Sequence, residues 1–476
     1  MKKKILPVLM LFLSILTGSL SAQNVINKKE LAGSWLGKLN TGAISLRIVF
    51  NLKYHDNDSL SATLDSPDQG AKNIPLGRVA FRDDSLIIAA PALKGNYSGL
   101  MKNDTTIDGT WTQGGSMLTL NLNKLRQGLI INRPQEPKPP FPYSSGDVTF
   151  PNKKFNIYLA GTLTVPEGNG PFPAVIMITG SGGQNRNEEI MGHKPFLVIA
   201  DWLSRRGIAV LRYDDRGISK SQGNYATATS ADLATDAEAA YNYLLGNPKI
   251  KASAIGLLGH SEGGLIAPMV ASTNAGIAFI VSLAGPGVTG EQILYRQSAD
   301  ISRLSGIDEA TIRENNEINQ KLYAIVKKEK DNVKAEQKVF ITYGKILEGK
   351  NLSPEEFAKS LNQLKLTFGA STYPWFRYFL VTNPADFWKK VKCPVLALNG
   401  DKDVQVAADV NLEAIEKSVR GGGNNDIRTV KLAGLNHLFQ HSATGLPNEY
   451  GKIEETFSPE VLEIISSWIL GLKVSR

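Results

Sequence analysis

A serine stands where a buried-strand pattern changes abruptly into a helical pattern, and this junction constrains the fold more than any other feature of the chain. Residues 255–258 form a short apolar run, and residues 262–272 follow helical periodicity. Between them lies a Gly-x-Ser-x-Gly motif centred on Ser261. A strand that reverses into a helix within a few residues strains the backbone of the central residue, and flanking glycines avoid the resulting collisions. The pattern therefore predicts a serine hydroxyl raised above a sheet, at the N-terminus of a helix.

A serine in this position is typical of a catalytic nucleophile, because the free N–H groups of the helix favour a developing negative charge. In a chain of 476 residues with 44 glycines, the bare motif also arises by chance. The strand before it and the helix after it favour the functional interpretation. Ser261 is accordingly the candidate nucleophile.

The first 22 residues have the pattern of a secretory signal peptide. Three lysines are followed by an apolar run over 5–20 and by small residues that end at Ala22, where we place the cleavage. No cysteine follows the apolar run, which argues against a lipoprotein anchor. We expect an exported protein, periplasmic or secreted, without a stable membrane anchor. Cys393 is the single cysteine, so no intrachain disulfide is expected.

Charge and histidine spacing give no sign of nucleic acid or metal. Loss of the three leader lysines takes the formal net charge from +8 to +5, which is modest for this length and favours an ordinary solvated surface. The five histidines show no metal-ligand spacing. We predict no metal, no cofactor and no nucleic-acid partner.

Residues 23–130 have the sequence pattern of a small all-β domain, either a barrel or a sandwich. Short apolar runs at 44–50, 60–64, 85–89 and 117–122 are separated by glycine, asparagine, aspartate and proline. Either substrate binding or a structural, assembly role fits such a module. Five prolines between 132 and 143 then predict a stiff linker over 131–145.

Residues 146–476 alternate apolar strands with amphipathic helices, which predicts an α/β domain with a mostly parallel sheet covered on both faces. The predicted strands are 157–165, 174–179, 209–213, 255–258, 278–283 and 395–398, and the clearest helices are 195–206, 231–245 and 408–419. The carboxyl ends of such strands share one edge, where sites form.

The alternation stops over 288–386, where the chain is charged and helical in propensity, with predicted helices at 291–304, 309–330, 333–347 and 354–364. This segment is too long for an ordinary connection. It predicts a helical cap over the site, with a peripheral decoration as the alternative.

A serine nucleophile needs a histidine base and an acid that orients the base. The candidate acid Asp403 follows the strand that ends near Gly400, with Asp401 as the alternative. The candidate base His437 follows a predicted strand at 428–432, whereas His441 lies four residues further on. Both candidates thus follow strand ends.

With these residues, the chain from 155 to its end resembles the α/β-hydrolase superfamily. More narrowly, it is similar to exported esterases and serine-peptidase-like hydrolases with a Gly-His-Ser-Glu-Gly-Gly elbow. The blocks that carry the resemblance are 179–184, 212–217, 398–403 and 435–437, in this order. The resemblance implies an α/β-hydrolase fold, into which the predicted helical cap over 288–386 is inserted. The small all-β domain that precedes it lies outside the resemblance.

The resemblance also implies the triad Ser261, Asp403 and His437, because the superfamily order is serine, acid, histidine. Family turns of the form Gly-x-x-Asp-x-x-Val select Asp403 over Asp401. The implied oxyanion hole takes one N–H from Glu262 and another from Ser181 or Gly182. The Glu262 side chain is expected to be solvated.

Three functions remain open from the residues alone. The first is hydrolysis of a small-molecule carboxylic ester through an acyl-enzyme. The second is an aminopeptidase-like amide hydrolase acting on short peptides, which requires acidic groups for a substrate amine. The third is a non-catalytic binding protein on a hydrolase scaffold, and the complete set of triad residues argues against it.

Overall fold

The computed structural model describes residues 28–40, 45–69, 71–126, 132–367 and 373–472. The predicted signal peptide lies outside these residues. Within them, no helix combines the length and the apolar character needed to cross a membrane.

The N-terminal part is a curled antiparallel sheet of ten strands. The strands are β1 Gly33–Asn40, β2 Ser45–Tyr54, β3 Leu60–Ser66, β4 Ala71–Pro75, β5 Val79–Arg82, β6 Ser85–Ala90, β7 Gly95–Asn103, β8 Thr106–Gln113, β9 Ser116–Thr119 and β10 Leu122–Lys124. Short 3-10 turns occur at Lys28–Leu31, Pro67–Gln69 and Pro91–Leu93. Their order in the sheet is β4-β3-β2-β1-β10-β8-β7-β6-β5, and β9 pairs with β8.

The predicted small all-β domain is a single curled antiparallel sheet, and this sheet is a half-barrel rather than a barrel or a sandwich. Its edge strands β4 and β5 do not pair with each other in the described part of the chain. The single curled sheet buries its own aromatic core, in which Phe50 packs against Tyr97 and Trp111 at ring distances of 5.1 and 6.3 Å. Large aromatic side chains fill the concave face, so closure is not required to exclude water from it.

The second sheet has eight strands. They are β11 Tyr143–Asn152, β12 Ile157–Pro166, β13 Phe172–Ile178, β14 Ala209–Tyr213, β15 Ile250–His260, β16 Ile280–Leu283, β17 Val395–Gly400 and β18 Ile427–Leu432. The order is β11-β12-β14-β13-β15-β16-β17-β18. Strand β12 runs antiparallel to both of its neighbours, β11 and β14, and the six strands from β14 to β18 pair in parallel.

Helices cover both faces of this sheet and bury two separate apolar cores. The helices outside the insertion are α1 Pro195–Ser204, α2 Ser230–Leu245, α3 Gly263–Ala271, α10 Ala408–Gly421, α11 Pro447–Tyr450 and α12 Pro459–Gly471. The predicted doubly covered, mostly parallel sheet is therefore confirmed. Its order and connections are those of an α/β-hydrolase fold.

Strand β15 lies in the middle of the sheet, between β13 and β16. Its last residues pair in parallel with both neighbours, since Gly259 lies opposite Ile178 and His260 lies opposite Leu283. Strands β17 and β18 continue the same parallel set. The turns after β15, β17 and β18 consequently meet at one edge, as expected for parallel strands.

Between β16 and β17, the described residues form six helices. They are α4 Gly290–Leu304, α5 Glu309–Lys328, α6 Asn332–Glu348, α7 Pro354–Thr367, α8 Tyr373–Val381 and α9 Ala385–Trp388. Helices α4 to α7 match the four predicted ones to within a few residues. The insertion has an apolar core of its own, built around Leu322, Val326 and Val339.

The proline-rich segment is packed against the second domain. Arg133 donates hydrogen bonds to the carbonyl oxygens of Gly451 and Ile453 at 3.1 and 2.9 Å. Gln135 accepts a hydrogen bond from the amide of Thr456 at 2.6 Å. The last residues of the predicted linker, from Tyr143, already pair with β12.

Candidate active site

Ser261 has the strained backbone that its motif predicts, with a φ of +52°. The flanking glycines are needed because a Cβ at Gly259 would lie 2.0 Å from the carbonyl oxygen of Gly263. A Cβ at Gly263 would lie 2.1 Å from the carbonyl oxygen of Ile178. The amide of Ser261 donates to the carbonyl of Leu283 at 2.8 Å, which fixes the turn to β16. These contacts hold Ser261 in a tight turn between β15 and α3, and we refer to this turn, Gly259–Gly263, as the elbow.

His437 and Asp403 form a buried hydrogen-bonded pair. The distance from His437 Nδ1 to Asp403 Oδ2 is 2.7 Å, and the Asp403 side chain is fully buried. The other carboxylate oxygen of Asp403 accepts the amides of Gln405 and Val406 at 2.8 and 2.9 Å. These bonds orient the carboxylate toward the imidazole, and Nε2 of His437 takes no part in them.

The two alternative residues have different partners. Asp401 Oδ1 accepts the amide of Gly434 at 2.7 Å, so this carboxylate closes the turn before the histidine loop. The His441 side chain is 62% exposed and contacts Glu455 at 2.9 Å. The structure thus brings Asp403 and His437 together and keeps Asp401 and His441 out of that pair.

The turn after β13 runs beside the elbow. A Cβ at Gly180 would lie 3.2 Å from Cβ of Ser261. The amide of Gly180 donates to Glu188 Oε1 at 2.7 Å. Within the described ranges, no acceptor is hydrogen-bonded to the amides of Ser181 or Glu262. The two amides are therefore available to a ligand oxygen, as an oxyanion hole requires.

Asp215 stabilises this turn through two hydrogen bonds. It accepts hydrogen bonds from Thr179 Oγ1 at 2.7 Å and from the amide of Gln184 at 2.8 Å, one at each end of the turn. Burial raises the pKa of Asp215 to about 8, although both hydrogen bonds oppose this shift. The neighbouring Asp214 pairs with Arg186 at 2.7 Å. These contacts hold the turn after β13 in place.

The expectation of a solvated Glu262 side chain is wrong, because the residue is only 2% exposed. Its Oε1 accepts hydrogen bonds from Ser230 Oγ at 2.5 Å and from Trp375 Nε1 at 2.8 Å. Burial raises the pKa of the carboxyl group. Ser230 begins α2 and Trp375 belongs to α8, so two helices distant in sequence converge on the elbow and exclude water from Glu262.

Sequence reasoning missed a second histidine–carboxylate contact beneath the elbow. His260 Nδ1 lies 2.9 Å from Glu188 Oε1, and His260 Nε2 lies 2.9 Å from the carbonyl oxygen of His437. Glu188 stands in an irregular segment between β13 and α1. No local pattern marks this residue, although its positive φ of +50° is a sign of tertiary constraint.

Several known proteins are similar to this chain. The family model described as BAAT / acyl-CoA thioester hydrolase C terminal matches residues 237–352, from α2 through the elbow into the insertion. Esterase EstD of Thermotoga maritima is 27% identical over 317 residues, which cover 66% of this chain and 65% of that protein. Acyl-coenzyme A thioesterase 1 of Rattus norvegicus is 31% identical over 136 residues, 28% of this chain and 29% of that protein.

Among solved structures, an esterase of Pyrococcus furiosus, Pf2001, aligns with 69% of this chain and 92% of its own at 17% identity, with a TM-score of 0.41. The sequence matches cover less than two thirds of the esterase EstD and under a third of the thioesterase. The family match and the esterase relative support assignment to the α/β-hydrolase superfamily. The family match includes Ser261 and ends before Asp403 and His437.

Proposed function

We propose that this chain is a serine hydrolase that cleaves carboxylic esters through an acyl-enzyme on Ser261. The observation that carries the proposal is the buried hydrogen bond of 2.7 Å between His437 and Asp403, at the same sheet edge as the strained elbow. The esterase and thioesterase relatives support cleavage of an ester or thioester bond.

In the proposed mechanism, Ser261 Oγ attacks the acyl carbonyl while His437 Nε2 takes its proton. Asp403 stabilises the imidazolium through Nδ1. The developing oxyanion binds the N–H of Glu262 and an N–H of Ser181 or Gly182. His437 then gives its proton to the leaving alcohol. A water molecule then attacks the acyl-enzyme while His437 takes its proton. His437 returns this proton to Ser261 Oγ as the carboxylic acid leaves.

We further propose that the insertion is a cap that bounds the substrate pocket. The hydrogen bond from Trp375 on α8 to Glu262 supports this role, because it joins the insertion directly to the residue after the nucleophile. Trp375 also stacks on Phe379 at a ring distance of 5.2 Å, beside Ile293 and Val406. This apolar cluster suits the acyl part of a small ester.

Thioester cleavage is the second candidate, since the matched family model is that of an acyl-CoA thioester hydrolase domain and covers the elbow. The same triad serves both bonds, because the leaving thiol needs less help from a general acid than an alcohol does. The aminopeptidase alternative requires a free carboxylate for a substrate amine. Glu262, next to the nucleophile, is instead buried, and its Oε1 is held by Ser230 and Trp375.

The test compares p-nitrophenyl acetate and butyrate, the matching acyl-coenzyme A thioesters, and aminoacyl p-nitroanilides. We expect ester turnover that falls by about a thousandfold or more in Ser261→Ala, and labelling of Ser261 by a fluorophosphonate. Ser272→Ala, at the end of α3, is the matched control and should retain activity. Fluorophosphonate labelling that persists in Ser261→Ala would refute the nucleophile.

We also propose that the chain is exported and loses residues 1–22. Expressed with its leader in a Gram-negative host, the protein should appear in the periplasm with Gln23 as its first residue. N-terminal sequencing tests this directly. Recovery of the intact N-terminus from the cytoplasm alone would contradict export.

A further inference from the structure

His260 directly precedes the elbow serine, and both of its ring nitrogens face acceptors. Nδ1 lies 2.9 Å from a carboxylate oxygen of Glu188, and Nε2 lies 2.9 Å from the carbonyl oxygen of His437. The side chains of His260 and Glu188 are 9% and 2% exposed. The proposed mechanism gives neither of them a role.

The identity of these partners determines the protonation of the ring. A carbonyl oxygen can only accept, so Nε2 must carry a proton. The Glu188 oxygen that faces Nδ1 also accepts the amide of Gly180 at 2.7 Å, as a carboxylate oxygen does. With Glu188 ionised, Nδ1 donates as well, and only the imidazolium ion has two ring donors.

This pair joins three segments of the proposed site. Through His260 it contacts the elbow, through the carbonyl of His437 it contacts the base, and through Gly180 it contacts the oxyanion turn. The rings of His260 and His437 lie 4.9 Å apart. A displacement of the pair would move the nucleophile, base and oxyanion donors relative to one another.

We propose that His260 is a permanently charged positioning residue, an imidazolium ion held by Glu188 that fixes the His437 loop and the Gly180 turn against Ser261. This inference rests on the proposed function for its effect on rate, but not for the charge of the ring.

The charged and titratable groups that face His260 are consistent with this state. Burial disfavours the charged ring, but the Glu188 carboxylate, the His437 carbonyl and the more distant Asp403 together raise the pKa of His260 above its usual value. Besides these groups, the ring contacts the edge of Phe439 at a centroid distance of 6.5 Å. The imidazole of His437, at a centroid distance of 4.9 Å, is the other titratable group that faces the ring.

The first experiment measures the charge in the resting protein. Nitrogen-15 spectra of histidine-labelled protein, with His260→Gln to assign the signal, should show both His260 nitrogens protonated from pH 5.5 to 8. This measurement needs no substrate. A single protonated nitrogen at pH 7 would overturn the proposal, whether or not the protein hydrolyses esters.

The second experiment uses Glu188→Gln. The amide oxygen can still accept from the amide of Gly180. It can accept from His260 only while Nδ1 stays protonated. Without the carboxylate, His260 should titrate closer to its ordinary range near 6.5. Above that range, an unprotonated Nδ1 would face the amide oxygen, and the contact should break.

We therefore expect the ratio of wild-type to Glu188→Gln kcat to be near one at pH 5.5 and on the order of tenfold to a hundredfold at pH 8.5. KM should change much less. Glu455→Gln, which alters the exposed pair with His441, is the matched control and should give a ratio near one throughout. The labelling rate of Ser261 by a fluorophosphonate gives the same comparison without a known substrate.

A ratio that is large but independent of pH would overturn the proposal, because it would indicate a loss of packing rather than a loss of charge. Absence of ester turnover and of Ser261 labelling in the wild type would instead overturn the proposed function. The nitrogen-15 result would then still decide the state of His260.

Discussion

Asp401 and Asp403 lie two residues apart in one turn, and their carboxylates have separate tasks. Asp403 binds the imidazole of His437, whereas Asp401 binds the backbone of Gly434. The difference follows from position: Asp401 is at the strand end, facing the neighbouring turn, and Asp403 lies further round, where it reaches the ring. At the residue scale, this makes the two aspartates a natural pair for comparison.

We predict that Asp403→Asn lowers kcat by roughly a thousandfold to ten-thousandfold, because an amide in place of the carboxylate favours the wrong imidazole tautomer. Asp401→Asn should lower kcat by less than about tenfold, since its amide oxygen can still accept from Gly434. Steady-state kinetics on folded variants measures both. Equal small losses, or the reverse ranking, would contradict the assignment of the acid.

The buried ring of His193 should make the free energy of unfolding depend on pH. Burial and the nearby Arg133 lower the pKa of His193 to about 4. The unfolded chain binds this proton near pH 6.5, so unfolding takes up a proton between these values. The stability contributed by the neutral ring is therefore present above pH 6.5 and is lost as the pH falls toward 4.

Between pH 7 and 5, the free energy of unfolding of the wild type should fall by about 2 kcal/mol more than that of His193→Gln. Urea titrations at a series of pH values measure the difference. His55→Gln, in the N-terminal sheet, is the control and should follow the wild type. Parallel curves for the wild type and His193→Gln would show that the fold does not lower the pKa of His193.

At the scale of the elements, α8 and α2 each contribute a hydrogen-bond donor to the same carboxylate oxygen of Glu262. Trp375 from α8 and Ser230 from α2 both donate to Glu262 Oε1. One donor belongs to the insertion and the other to the helices of the sheet. Removing each donor in turn separates the contribution of the insertion from that of the elbow itself.

We predict that Trp375→Phe raises KM for bulky esters by about tenfold and leaves kcat within a few-fold, because the aromatic packing survives and one hydrogen bond to the insertion is lost. Ser230→Ala removes a bond to the same oxygen without altering the insertion. It should leave KM for these esters unchanged. Similar rises of KM in both variants would assign the effect to Glu262 and would exclude a cap role for α8.

At the scale of the whole molecule, the two sheets are joined by specific contacts. Arg47 pairs with Asp68 at 2.6 Å and reaches the carbonyl of Gly451 at 3.3 Å. Arg133 and Gln135 bind the same stretch of chain, 451–457. That stretch continues to the histidine loop, since the carbonyl of Glu455 accepts a hydrogen bond from Gln440 at 2.9 Å.

We predict that a chain beginning at Asn132 folds and hydrolyses small activated esters with a kcat within about tenfold of the full chain, because all proposed triad and oxyanion residues remain. A chain beginning at Tyr143 lacks Arg133 and Gln135 and should melt several degrees lower. Thermal unfolding and p-nitrophenyl acetate turnover compare them. A folded Asn132 chain without turnover would show that the N-terminal sheet contributes to the site.

The sequence by itself determined the features that depend on neighbouring residues. The glycines around Ser261, the turn that carries Asp403 and the helical periodicity of α4 to α7 are local, so each is readable without the fold. The order of strands and helices likewise predicted the parallel sheet and the shared edge. Strands β7 and β8 escaped prediction because their exposed positions and glycines interrupt the apolar runs.

Only the tertiary structure decided the features that join distant parts of the chain. Glu188 lies 72 residues before His260, Trp375 lies 113 after Glu262, and Arg133 lies 320 before Ile453. The half-barrel, the burial of Glu262 and the charge of His260 all depend on such contacts. The physical reason is that burial and electrostatic environment belong to the packed site, where a side chain's neighbours come from elsewhere in the sequence.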